Sequence, residues 1–291
     1  RQPWPRSMTP AIAARSHPHD SHHRPDQGRP SPDLRRLFCG QRSRVRLGFC
    51  GDGYAMKFPD DVGKGICIFL CDITGKMAKP WFDDGYTCIL VDPKHPRGVT
   101  VSQCGRWITI GEIIDHPTTW SVISAAIRTN RVVFVAGFPP CTDLAVSGAR
   151  WFEEKRKADP LYEMKAMHVV WQCQVIGELS GGKWFAENPV SRISSFWRRP
   201  DHAFHPFQYT GFCAEDNYKK KTCLWVGGGF VMPDPYRDYS LGAPDNRIHT
   251  CAPGDERANI RSETPTGFAI AVHLANRGPR KGQLDLLEEA A

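Results

Sequence analysis

Hydrophobic positions in this chain fall into short runs separated by longer periodic stretches. Ile66–Leu70, Thr87–Val91, Trp107–Ile110, Val132–Val135 and Lys183–Ala186 are apolar runs of four or five residues, each followed closely by Gly, Pro or Asp. Such runs predict buried strands. The segments between them read as helices. Lys76–Asp84 is helical with Pro80 bending or interrupting it. The segment ending at Asn130 is a second helix. Trp151–Glu178 carries a long helical pattern with Pro160 near its start and Gly181–Gly182 after it. Its apolar positions Leu161, Met164, Met167, Val170 and Trp171 read as a stripe packed on a sheet. Thr222–Val226 is a further strand and Thr264–Asn276 a last helix. Strands alternating with helices predict an α/β fold.

The two ends differ from this body. Residues 1–55 are rich in Pro, Arg, His and Ser and hold no apolar periodicity. They are expected to be disordered, as translated upstream sequence with the natural start near Met56. A transit peptide is the other reading of such an Arg-rich leader. The ordered domain is expected over 56–276, with Gly227–Asp255 loop-like, and the polar tail 277–291 is expected to fray. No internal repeat is visible.

Net charge adds less than it promises. The chain of 291 residues carries +7, but residues 1–55 contribute ten Arg against four Asp, leaving +1 for the rest. Any nucleic-acid contact therefore has to rest on local clusters. The 11 cysteines form no CxxC pair, which fits reduced thiols better than disulfides or a zinc ribbon. No apolar run approaches the roughly 20 residues of a membrane span.

Candidate chemistry gathers at the predicted strand ends, where parallel α/β sheets present it. After Val132–Val135 come Gly137 and Pro139–Pro140, and then Cys141. A lone thiol is more often a small hydrophobe than a nucleophile. Asp72 follows the first strand and Asp92 the second, 20 positions later. That is the spacing at which nucleotide-binding βαβ units put a carboxylate on ribose hydroxyls, although two ordinary loop carboxylates read equally well. No GxGxxG is present, so a dinucleotide is not favoured.

Four segments taken together resemble the C5-cytosine DNA methyltransferases, and in particular their compact phage-type members. They are Phe69–Trp81 (FLCDITGKMAKPW), Phe138–Phe152 with Pro-Pro-Cys, Glu187-Asn188-Pro189, and Arg261–Asn276 (RSETPTGFAIAVHLAN). Tyr218–Trp225 (YKKKTCLW) adds to the match. Pro-Pro-Cys and Glu-Asn-Pro, with Cys141 and Glu187 46 positions apart, are the specific part.

The resemblance implies a Rossmann-like, S-adenosylmethionine-dependent methyltransferase sheet with helices on both faces, and DNA as partner. Cys141 would be the nucleophile that attacks cytosine C6, and Glu187 would hold the base at N3 and its amino group. Asp72, Gly75, Asp92, Glu112 and Pro139 would line the cofactor. Pro140, Ser147, Asn188, Pro189, Arg192, Lys219 and Lys221 would meet the substrate, with Arg198 and Arg199 as further phosphate candidates. No metal is implied, and the setting is the cytoplasm of a bacterium or a phage-infected host. Thr74 stands where a Gly is common, Glu112 where Asp is common, and Asp143 sits two residues from the nucleophile. The family's base-contacting Arg is missing, and Lys219 or Lys221 is expected in its place. Residues 227–260 leave room only for a much reduced target-recognition region. RNA cytosine as substrate, or a degenerate fold that only binds nucleic acid, are the alternatives.

Overall fold

The computed structural model describes residues 48–49, 56–58, 62–250 and 261–278. A two-residue ribbon comes first, β1 (Gly48–Phe49) pairing antiparallel with β2 (Met56–Lys57). The boundary expected at Met56 thus falls inside a paired element. The rest of the expected extension, 1–47 and 50–55, and the tail beyond residue 278 lie outside the described residues.

The body is a mostly parallel, eight-stranded mixed sheet with helices on both faces. The strands are β3 (Ile66–Leu70), β4 (Thr87–Val91), β5 (Val99–Val101), β6 (Trp107–Ile110), β7 (Val132–Gly137), β8 (Lys183–Pro189), β9 (His202–Phe204) and β10 (Thr222–Gly227). Their spatial order is β5-β6-β4-β3-β7-β8-β10-β9. β6, β4, β3, β7 and β8 are parallel, whereas β5 and β10 run antiparallel to their neighbours. The parallel strands therefore follow the doubly wound order 3-2-1-4-5, and the order reverses between β3 and β7. β10 enters reversed between β8 and β9, which departs from the plain dinucleotide-binding order.

Strand alternation distributes the core between two faces. Ile66, Ile68, Leu70, Ile89 and Val91 pack against α2 (Pro117–Arg128) and α4 (Tyr162–Ser180). Cys67, Phe69, Cys88, Leu90 and Phe134 pack on the other face against α1 (Lys79–Asp83) and the C-terminal helix Thr266–Asn276. There Trp81 stacks on Phe134 with ring centroids 4.5 Å apart. A third cluster, Leu144, Met167, Val170, Ile193, Cys223 and Trp225, lies under the loop that follows β7.

Several local expectations are corrected. Pro80 does not bend a helix from Lys76; it sits in the first turn of α1, where its missing N–H costs nothing. The long helix is two helices, α3 (Phe152–Ala158) and α4, parted at Pro160. Leu161 and Met164 of the expected stripe are 60% and 45% exposed, and α4 instead buries Tyr162, Met167, Val170, Cys173 and Ile176. Gly227–Thr250 is loop-like as expected, but not featureless. It forms an extended strap fixed by Tyr209 Oη to Pro233 O, Gly211 N to Tyr236 O and Asn217 Nδ2 to Leu241 O. Within it lie a 3-10 turn at Tyr239–Leu241 and a short helix at Arg247–Thr250. No helix of the described residues is long and apolar enough to cross a membrane.

Candidate active site

The loop bearing Cys141 leaves β7 at the edge where the sheet order reverses. Gly137 ends the strand because nothing larger fits. A Cβ there would lie 2.5 Å from Cys173 Sγ, so glycine lets α4 pack onto β7. The loop then turns tightly, with Cys141 O accepting from Leu144 N and Ala145 N at 3.1 and 2.8 Å. Its other contacts reach the end of β8. Asn188 Nδ2 donates to Pro139 O at 2.8 Å, Val146 N to Val190 O at 3.0 Å, and Arg192 N to Leu144 O at 2.8 Å. The Pro-Pro-Cys and Glu-Asn-Pro segments are thus bonded directly to each other.

Asn188, expected to touch substrate, is fully buried and anchors the Cys141 loop through Nδ2, while its Oδ1 is buried without a partner. Asn188→Ala should leave the Pro139 carbonyl buried without a donor, which costs about 1–3 kcal/mol. Urea denaturation should show a lower midpoint at unchanged slope. An unchanged midpoint would show that this bond does not secure the loop.

Glu187 and Cys141 come together. Glu187 shares the parity of Phe185, so it faces the side covered by the C-terminal helix. There it lines a cleft with Phe138, Phe204, Lys220, Thr264, Pro265 and Phe268. Phe204 and Phe268 close its wall, stacked with centroids 3.7 Å apart. The Glu187 carboxylate has no hydrogen-bond or ion-pair partner among the described residues. Burial pushes its pKa up, and Lys220 opposes the rise. The Cys141 thiol is also raised, first by burial and then by Glu187, while Lys220 and Arg261 draw it back. Asp143 takes no part in this. It turns away to Lys155 Nζ, 2.6 Å distant.

Lys220 is the residue that the sequence reading missed. Lys219 and Lys221, expected in its place, are exposed, whereas Lys220 is 9% exposed and donates to Glu263 O at 3.1 Å. The signal was the two-residue period. Lys220 has the parity of Leu224, whose side chain packs beside Phe268.

The remaining candidates line the neighbouring strand ends. Asp72 is 4% exposed. Its Oδ1 accepts from Thr74 N, Thr74 Oγ1 and Gly75 N at 3.0, 3.1 and 2.8 Å, so Thr74 makes use of its hydroxyl. Asp72 Oδ2 is buried with no partner. Burial raises the pKa of this carboxyl against those hydrogen bonds. Gly75 has φ +66°, and a Cβ on it would meet the Trp107 ring at 2.7 Å. Asp92 ends β4 and accepts from Lys94 N at 2.9 Å. Asp72 and Asp92 converge on Cys71, whose thiol burial pushes up to about 12 with both carboxylates adding to the rise. Cys71 has φ +58°, uncommon for a residue with a side chain and a mark of backbone strain at this edge.

No family model and no curated protein matches this chain.

Several expected contacts do not join the cleft. Glu112 stands at the end of β6 with its carboxylate 3.6 Å from Arg97 Nε and 3.9 Å from His116 Nε2. Arg192 is turned toward Glu163 and Arg198 is paired with Asp201. Arg199, Pro140 and Ser147 are exposed and Pro139 is buried, while Pro189 pairs with Thr222 in the sheet. Among the described residues no group of three or more His, Cys, Asp or Glu side chains is placed to hold a metal ion.

Proposed function

We propose that the protein is an S-adenosylmethionine-dependent methyltransferase acting on C5 of cytosine in DNA. The observation that carries this reading is that Glu187 and Lys220 share one cleft at the carboxyl edge of a doubly wound sheet, close enough to Cys141 to act on its thiol. The residues on the cofactor side fit. Asp72 offers a buried, unpartnered oxygen suited to a donor on the ligand, and Asp92 stands at the second strand end, where a ribose carboxylate is expected. When bound, S-adenosylmethionine supplies an electrophilic methyl group.

The chain's own part follows from its side chains. Cytosine C5 is a poor nucleophile, and Cys141 corrects this by bonding through Sγ to C6, which makes C5 enamine-like. Negative charge then builds toward N3. Glu187 is placed to hydrogen-bond N3 and the amino group, and burial, which raises its pKa, favours uptake of the proton that N3 would share. Lys220 supplies positive charge beside both groups, favouring the thiolate. Cys141 leaves when the C5 proton is lost. The base must be extruded from the duplex to reach this cleft. Lys219 and Lys221, exposed on either side of Lys220, are suited to phosphate contact.

The test is transfer of labelled methyl groups to duplex DNA and to RNA of matched sequence, followed by bisulfite sequencing of the DNA. 5-Methylcytosine in DNA is expected. Label in RNA alone would move the substrate to RNA, and binding without label in either would leave a nucleic-acid-binding protein.

A further inference from the structure

Beneath the nucleophile loop lies a buried polar cluster that the chemistry above does not use. Glu163, on the first turn of α4, is 8% exposed. Its Oε2 accepts from Arg156 Nη2 at 3.0 Å, and its Oε1 faces Arg192 Nε at 3.5 Å. Arg156 belongs to α3, the helix into which the Cys141 loop runs. Arg192 follows the Glu187 strand, and its N–H holds Leu144 O of the Cys141 loop at 2.8 Å. The neighbouring Ser191 bridges to Ala145. One carboxylate therefore gathers the segments downstream of both Cys141 and Glu187 onto α4.

The cluster is under-satisfied. Glu163 Oε1, Arg192 Nε, Tyr162 Oη and Ser191 Oγ are all buried without a hydrogen-bond partner. Loss of the carboxylate would leave the Arg192 guanidinium beside uncompensated polar atoms, so the 190–192 turn would shift. Arg156 is half exposed and can turn to water.

We propose that Glu163 is a positioning residue for the reaction, setting through Arg192 the placement of Cys141 against Glu187. This rests on the methyltransferase reading for its kinetic arm, but not for its thiol arm. Two variants of the full chain test it, Glu163→Gln and Arg192→Gln. Arg192 is partly exposed, so the second variant keeps the test open if the first proves unstable. Binding of S-adenosylhomocysteine should be unchanged in both. kcat should fall by roughly 10- to 100-fold with KM within about twofold, the signature of misplaced reacting groups. Independently of turnover, iodoacetamide labelling mapped to Cys141 should speed up severalfold. Labelling of Cys104, which precedes β6 at the opposite sheet edge, should not change. The double variant should be no worse than the worse single one. Unchanged kcat and unchanged Cys141 labelling in a folded variant would overturn the proposal. So would equal acceleration at Cys141 and Cys104, which reports general loosening. If the parent transfers no methyl group, the labelling arm alone decides.

Discussion

Replacing Cys141 with Ser should lower methyl transfer by at least about 10⁴-fold while leaving S-adenosylhomocysteine and DNA binding in place. The size of the effect follows from ionisation. Even with its pKa raised by burial and by Glu187, a thiol ionises far more readily than an alcohol, and Lys220 and Arg261 favour the anion. Serine fills the same turn but presents almost no alkoxide at neutral pH. The loop should survive the change, because its anchors are backbone atoms of Cys141, Leu144 and Val146 together with the Asn188–Pro139 bond. A trapping experiment gives the positive form of this prediction. Duplex DNA carrying 5-fluorocytosine offers C6 for attack, but its C5 fluorine cannot leave as a proton. With S-adenosylmethionine present, the parent should form an adduct that withstands denaturation and maps to Cys141, and the Ser variant should form none. An adduct on another of the 11 cysteines would refute the assignment, as would no adduct where methylation is detected.

Much of this arrangement is legible in the residues alone, for a reason of scale. β3, β4 and β7 are buried on both faces and read as continuous apolar runs, which parallel strands require. Their ends therefore place Asp72, Asp92 and Cys141 on one edge. Short edge strands carry no such signature. Val99–Val101 and His202–Phe204 are three residues each and become strands only by pairing with β6 and β10. The phase of α4 was misread because Leu161 looks like the start of an apolar stripe, whereas it precedes the helix and faces solvent. The cleft shows the same limit. A run of three lysines does not say which one turns inward until the parity of β10 is known, and Arg192 looks like a phosphate contact until Glu163 appears beside it. Charged residues were legible as chemistry and illegible as partners, since partnering depends on contacts between distant segments.

The pairing of Glu187 with Cys141 makes the second large prediction one of opposite signs. Glu187→Gln keeps the volume and two hydrogen bonds to cytosine, but it has no proton to give to N3 as charge develops there. Loss of such stabilisation costs about 10²–10³-fold in kcat. The same substitution removes the anion that raises the Cys141 pKa. With that repulsion gone, the thiolate is easier to form, so the pKa of Cys141 falls toward its ordinary value. The pH dependence of Cys141 alkylation in the free protein should therefore move to lower pH. At a fixed pH near neutrality, labelling should be faster in the variant even as methyl transfer nearly stops. In the parent, transfer should climb with pH through the neutral range, because a thiol raised by burial is mostly protonated there. Lys220→Met should act in the opposite sense on the thiol, since it removes the charge that draws Cys141 down, and should delay labelling to higher pH. An alkylation profile at Cys141 that Glu187→Gln leaves in place, in a variant that still binds S-adenosylhomocysteine, would show that the two groups do not share an electrostatic environment. The proposed division of labour between nucleophile and proton donor would then be wrong.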